Sequence, residues 1–159
     1  MSESRLPGET AGALAERLAR EKARDVGLRL PGGTPSVVLA ADTVVTVGRY
    51  VFGKPADPVE ATRMLRMLSG RAHRVVTGVA VRSPGGSVRS ARSTTRVVFR
   101  RLSREEIRRY AISREPLGKA GAYAIQGAAG LFVTSIRGSY TNIVGLPLEL
   151  VVRLLGVPR

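Results

Sequence analysis

The sequence predicts an α/β fold built on a mixed, partly antiparallel sheet. Two observations lead there. Segments with helical apolar periodicity alternate irregularly with β-rich runs, and two neighbouring pairs of runs are joined by turns too short to hold a crossover helix. At 159 residues the chain is long enough for one domain with a core of its own, spanning 1–159.

The elements follow in order. Glu9 to Val26 is expected to be an amphipathic helix, with Leu14, Leu18, Ala19 and Ala23 on one face. PGGT at 31–34 is a loop. Ser36 to Ala41 is read as a buried strand, and Thr43 to Phe52 as a hairpin turning at Gly48 and Arg49. Asp57 is a natural N-cap before Pro58 at the first helical position, and Ala61, Met64, Leu65 and Leu68 form that helix's core stripe up to Gly70. Val75 to Arg82 and Val88 to Arg101 are strands joined by SPGGS. Ser103 with Glu106 is a capping-box pattern opening a helix to about Ser113. A Gly-rich stretch, GKAGAYAIQGAAG, precedes a strand over Leu131 to Ile136, and Pro147 to Leu155 is a last helix.

Composition removes several function classes. There is no Cys, so disulfides, thiolate metal sites and Cys nucleophiles are excluded. A single histidine, His73, rules out a multi-histidine metal site; with no Ser elbow or paired acid nearby it is expected to pack or hydrogen-bond. No apolar run reaches the roughly 18 residues of a membrane span, and MSESRLPGET has no signal-peptide core, which points to a soluble cytoplasmic protein. The net charge of +14 would suit a nucleic-acid binder, but the aromatics do not interleave with the Arg residues as a stacking platform would. Nucleic acid is therefore not the expected partner; a field attracting a small polyanionic substrate is.

The kind of cation is more telling than the total. Of 26 basic residues only Lys22, Lys54 and Lys119 are Lys. Where Arg is the default, a retained Lys marks a place where a compact ammonium fits and a planar guanidinium does not. Lys54, in FGKP, is held between Gly53 and Pro55 and suits a phosphate as a point charge. Lys22, on the polar side of the first helix, reads first as a solvated helix residue in an ion pair with a neighbouring turn. Asp42 follows an apolar run and has two readings, a cap bonding nearby amides or a metal ligand or general base fixed by its strand. Gln126, in a Gly-rich bend, either braces the turn or offers its amide to a base edge. GKAG at 118–121 lacks the spacing of a phosphate-binding P-loop. Ser139 to Asn142 is a polar loop that lines a site or turns the chain.

Taken together, RLAREKA, AADTVV, GKPAD, MLRMLSGRAHRVVTGVAV, EPLGKAGAYAIQG and GSYTNIVGLPLEL resemble, in order, the motifs of the Maf family of nucleoside triphosphate pyrophosphatases. The resemblance runs from about Glu3 to Leu155. It implies a curved sheet flanked by helices in two lobes with a central cleft, a divalent metal such as Mg²⁺ or Mn²⁺, and often a homodimer. The implied reaction converts a nucleoside triphosphate to its monophosphate and pyrophosphate. Asp42 falls on the family's catalytic acid, which also holds the metal, and Lys22 and Lys54 fall on its phosphate-contacting lysines. Thr43 and Gln126 match the specificity positions of the branch resembling dTTP and UTP pyrophosphatases. A Gln amide can meet the uracil or thymine edge with one donor and one acceptor.

Two departures stand out. Family members begin with a strand and a loop of roughly S-x-S-P-R-R, whereas this chain starts later, so that a neighbouring strand edge is expected to be exposed. Glu3 corresponds to an acidic site residue just after that loop, and Lys119 lies in a matching motif; both are further candidates. Gly118 stands where an acid usually precedes KAG. A second reading therefore stays open: a Maf-like protein that binds nucleotide or nucleic acid with impaired catalysis.

Overall fold

The computed structural model describes residues 5–31 and 35–156. The described elements are α1 (Ala11–Arg29), β1 (Val38–Val47), β2 (Tyr50–Phe52), α2 (Pro58–Leu68), β3 (Ala72–Arg82), β4 (Val88–Phe99), α3 (Arg104–Ile112), β5 (Val133–Arg137), α4 (Tyr140–Val144) and α5 (Leu148–Leu155). Two 3-10 turns, Ala120–Ala122 and Ala128–Phe132, precede β5.

The strands form one sheet in the order β2-β1-β3-β4-β5. Every described pairing is antiparallel, which narrows the mixed sheet expected from sequence. The reason is connectivity. β1 and β2 form a hairpin, as do β3 and β4, while β2 and β3 run the same way but are kept apart by β1.

Local signals set the helix boundaries. The Thr10 hydroxyl accepts from Ala13 N at 3.1 Å to open α1, and Asp57 does the same for Glu60 N at 2.7 Å in α2. Ser103 and Glu106 complete a reciprocal capping box at α3. Gly70, at φ +68°, takes the left-handed turn after α2.

One expectation needs correction. The buried strand read over Ser36 to Ala41 begins only at Val38 and continues through Asp42 and Thr43 to Val47. Of its first residues only Val38 is buried, while Val37 and Leu39 are exposed. β2 pairs with β1 only at Val45, Thr46 and Val47, so among the described residues no strand covers the edge of β1 over Val38 to Val44.

The core is divided. A large cluster (including Val45, Phe52, Leu65, Val75, Phe99, Tyr110, Tyr123 and Phe132) gathers α2, α3 and the 3-10 turns on one face of the sheet. Smaller clusters seat α1 and α5 farther along β1 and β3. The division agrees with the two-lobed architecture that the resemblance implies. Among the described residues no helix is long and apolar enough to cross a membrane.

Candidate active site

Asp42 sits in the middle of β1, opposite Gly78 of β3, and not at a strand end. Asp is disfavoured inside strands, where its short polar side chain competes with the ladder, so its presence calls for a role beyond folding. Two glycines bring its surroundings close. A Cβ on Gly78 would run into the backbone of α1 at Ala15 and Glu16, so only Gly lets the helix rest on the sheet there. Two turns farther along the helix, Lys22 reaches Asp42, and its Nζ forms an ion pair with Asp42 Oδ1. Gly121, at φ +68°, has no room for a Cβ against the Val45 side chain (Cγ2 at 2.7 Å). Its N–H donates to Gly53 O at 3.0 Å, which ties the 118–126 segment to the loop after β2 that carries Lys54.

The result is a cavity of about 240 Å³ whose walls include Lys22, Asp42, Thr43, Lys54, Lys119 and Gln126. It wraps the uncovered edge of β1, which is why Asp42 and Thr43, pointing to opposite faces of the strand, both reach it. Its cations are all Lys, in a chain where Arg is the usual cation. A second cavity, of about 300 Å³, shares Asp42, Thr43 and Lys54 and extends to Arg5, Arg49 and Tyr50. Glu3 lies outside the described residues.

For several of these residues the structure shows which bonds the side chain makes. Lys22 pairs with Asp42 across 20 residues and not with its own helix. Gln126 is exposed and its side chain braces nothing among the described residues; Glu115 and Tyr110 hold the bend instead. Glu115 Oε2 accepts from Ala128 N at 3.3 Å, and Tyr110 Oη accepts from Ala124 N at 3.0 Å. The Gln126 amide is left free to face a ligand. His73 is buried, with Nε2 3.0 Å from Tyr123 Oη and its ring edge-on to Phe99, so it serves packing as expected. Burial pushes its imidazole down to about 4, which keeps it neutral.

Thr43 shows chemistry that sequence could not. Its Oγ1 lies 2.9 Å from Thr77 Oγ1, and Thr77 in turn donates to Asn142 O at 3.1 Å. A carbonyl can only accept, so the Thr77 proton is committed to Asn142 and Thr43 must donate to Thr77. Thr43 Oγ1 is thereby left as an acceptor toward the cavity. Asn142, fully buried, pins this arrangement by donating to Val75 O at 3.1 Å and Thr95 Oγ1 at 2.8 Å. The polar loop over Ser139 to Asn142 thus becomes Ser139, the N-cap of α4, and this anchor. The only sequence signal for it was the clustering of Ser, Thr and Asn before an apolar run.

Among the described residues no group of three or more His, Cys, Asp or Glu gathers to cage a metal. Asp42 nonetheless fits a hard cation of the Mg²⁺ type, which keeps most of its waters and binds through one or two carboxylates together with substrate phosphates.

Residues 1–157 match the family described as Maf-like protein. The chain belongs to the Maf family. Among its Maf relatives is a protein of Mesorhizobium japonicum named dTTP/UTP pyrophosphatase, 50% identical over 158 residues that cover 98% of this chain and 76% of the relative. A Chelativorans protein of the same name is 51% identical with the same coverage. One from Maricaulis maris is 50% identical over 155 residues, covering 98% of this chain and 73% of its own.

Proposed function

We propose that this Maf protein hydrolyses dTTP- and UTP-type nucleotides to the monophosphate and pyrophosphate. The observation that carries the reading is one cavity that unites Asp42 with all three lysines of the chain and the free Gln126 amide. The naming of the relatives supports the same reading.

The chemistry follows from the groups present. Hydrolysis of a phosphoanhydride needs negative charge neutralised along the phosphate chain and a water placed for attack. Lys54, Lys22 and Lys119 supply point charges with freely rotating donors. In the free protein Lys22 occupies Asp42 Oδ1. Incoming phosphates compete for that ammonium and release the carboxylate, which then accepts a proton from the attacking water. A divalent cation held by Asp42 and the phosphates would neutralise further charge. The cavity around Arg5 and Arg49 offers room for the far end of the phosphate chain.

Base choice rests on Thr43 and Gln126. Uracil and thymine present an imide N–H between two carbonyls. The acceptor-only Thr43 oxygen takes the N–H, and the Gln126 amide nitrogen donates to a carbonyl. Cytosine offers an acceptor where the N–H should be and would leave two lone pairs facing each other, a mismatch that binding sites reject strongly. A nucleotide panel with Mg²⁺ tests the proposal. Pyrophosphate should appear, with UTP and dTTP well ahead of CTP and the purines. Orthophosphate as the product, or a purine preference, would refute it.

A further inference from the structure

Arg74, Arg96 and Arg137 stand directly opposite one another on three neighbouring strands. Arg74 of β3 pairs with Arg96 of β4, and Arg96 pairs with Arg137 of β5. Directly opposed residues of antiparallel strands project to the same face, with strands about 4.8 Å apart. All three are exposed, and none of their side chains makes a hydrogen bond or ion pair with any described residue.

Their face is the one that α1 covers elsewhere. α1 lies along β3 from Val76, which packs with Leu14 and Leu18, to Arg82, which lies beside Gly27. Arg74 is therefore beyond the helix's N-terminal end, where the first turn carries no acid. The row is not flat: Arg74 and Arg96 border a concavity of about 170 Å³ with Thr46, Gly48, Ala72 and His73. Like charges set directly opposite across strands destabilise a sheet, and nothing described offsets them. The arrangement makes sense where an anion bridges the row.

We propose that this row is a second binding site, separate from the cavity, for the phosphate backbone of a nucleic acid strand. Three guanidinium forks spread over about 10 Å suit a repeating polyanion better than one phosphate, and each fork can grip phosphate oxygens bidentately. No member of the row is aromatic, so bases are not stacked and binding is independent of sequence. The net charge of +14 draws such a strand in from a distance. The cavity that holds Asp42 with Lys22, Lys54 and Lys119 has no Arg in its walls, and the row is Arg alone.

The test is fluorescence anisotropy of a labelled random-sequence duplex over a range of KCl. Wild type should bind with a steep log–log salt slope. The variant R74Q/R96Q/R137Q should lose roughly 2 to 3 units of that slope, at about 0.9 per phosphate contact. A control with the same change in charge at exposed helical positions, R66Q/R104Q/R153Q, should keep it. Equal loss in both variants would show that diffuse charge binds the duplex and would overturn the proposal, as would a wild type that does not bind. The row variant should melt no lower than wild type, because it relieves repulsion, and should release pyrophosphate from UTP at the wild-type rate. A fall in that rate would mean that the row and the cavity are one site.

Discussion

Gly78→Ala tests how the fold positions its chemistry. A Cβ at Gly78 would sit 2.5 Å from Glu16 N, against an ordinary contact of 3.4 Å or more, so α1 must lift by about 1 Å. Backbone cannot rotate aside as a side chain would, and overpacking of this kind costs about 1–3 kcal/mol. For a domain of this size each kcal/mol is worth about 2–4 °C, which gives an expected fall in Tm of roughly 2–12 °C. The helix that lifts is the one that carries Lys22 to Asp42. Displacement of a catalytic group by about 1 Å can cost up to 10²-fold, so kcat/KM for UTP should fall by roughly 10- to 100-fold. Gly27→Ala is the control: the atoms nearest its Cβ would be those of the flexible Arg82 side chain, and Ala is the better helix former. Thermal melts and pyrophosphate release should separate the two. If Gly78→Ala melts within a degree of wild type and turns over at the same rate, the close approach of α1 to β3 does not place Lys22.

Three further outcomes follow from the site and its supports. Lys54→Arg should cut turnover by roughly ten-fold or more, about 1.4 kcal/mol, because a wide guanidinium beside Gly53 and Pro55 misplaces the phosphates; wild-type turnover would make Lys54 a mere positive charge. Thr77→Val should narrow the UTP-over-CTP ratio by roughly ten-fold or more, since Thr43 loses the acceptor that fixes its proton; an unchanged ratio would remove Thr43 from base selection. His73 is neutral in the fold, with a value near 4 against 6.5 unfolded, so the unfolded chain binds more protons between those values. Its contribution, about 3 kcal/mol, is complete above pH 6.5 and disappears as pH falls toward 4, and His73→Gln should flatten the melting profile across that window.

Much of the architecture was legible because its causes are local. Asp57 before Pro58, the Ser103–Glu106 box and the Gly48–Arg49 turn each act within a few residues, and each element they mark is present. The face of α1 was readable from the spacing of Leu14, Leu18, Ala19 and Ala23. The misjudged stretch, Ser36 to Ala41, failed because burial depends on which neighbour covers a strand, and β2 is too short to cover this one. The five-residue α4 is too brief to show helical periodicity, and its anchor Asn142 works through contacts with Val75 and Thr95 that sequence does not reveal. In the site, the scarcity of Lys was an unusually direct signal, since all three lysines line the cavity. The direction of the Thr43 proton and the opposition of Arg74, Arg96 and Arg137 depend on strand register and could not have been read in advance.

The central claim is that Asp42 performs chemistry in a cavity whose lysines hold the phosphates. Asp42→Asn keeps the shape of the side chain and removes its charge and basicity. Pyrophosphate release from UTP with Mg²⁺ should fall by about 10² to 10⁴ in this variant, while the thermal shift on adding UTP persists. An Asp42→Asn protein that releases pyrophosphate at close to the wild-type rate would contradict the account.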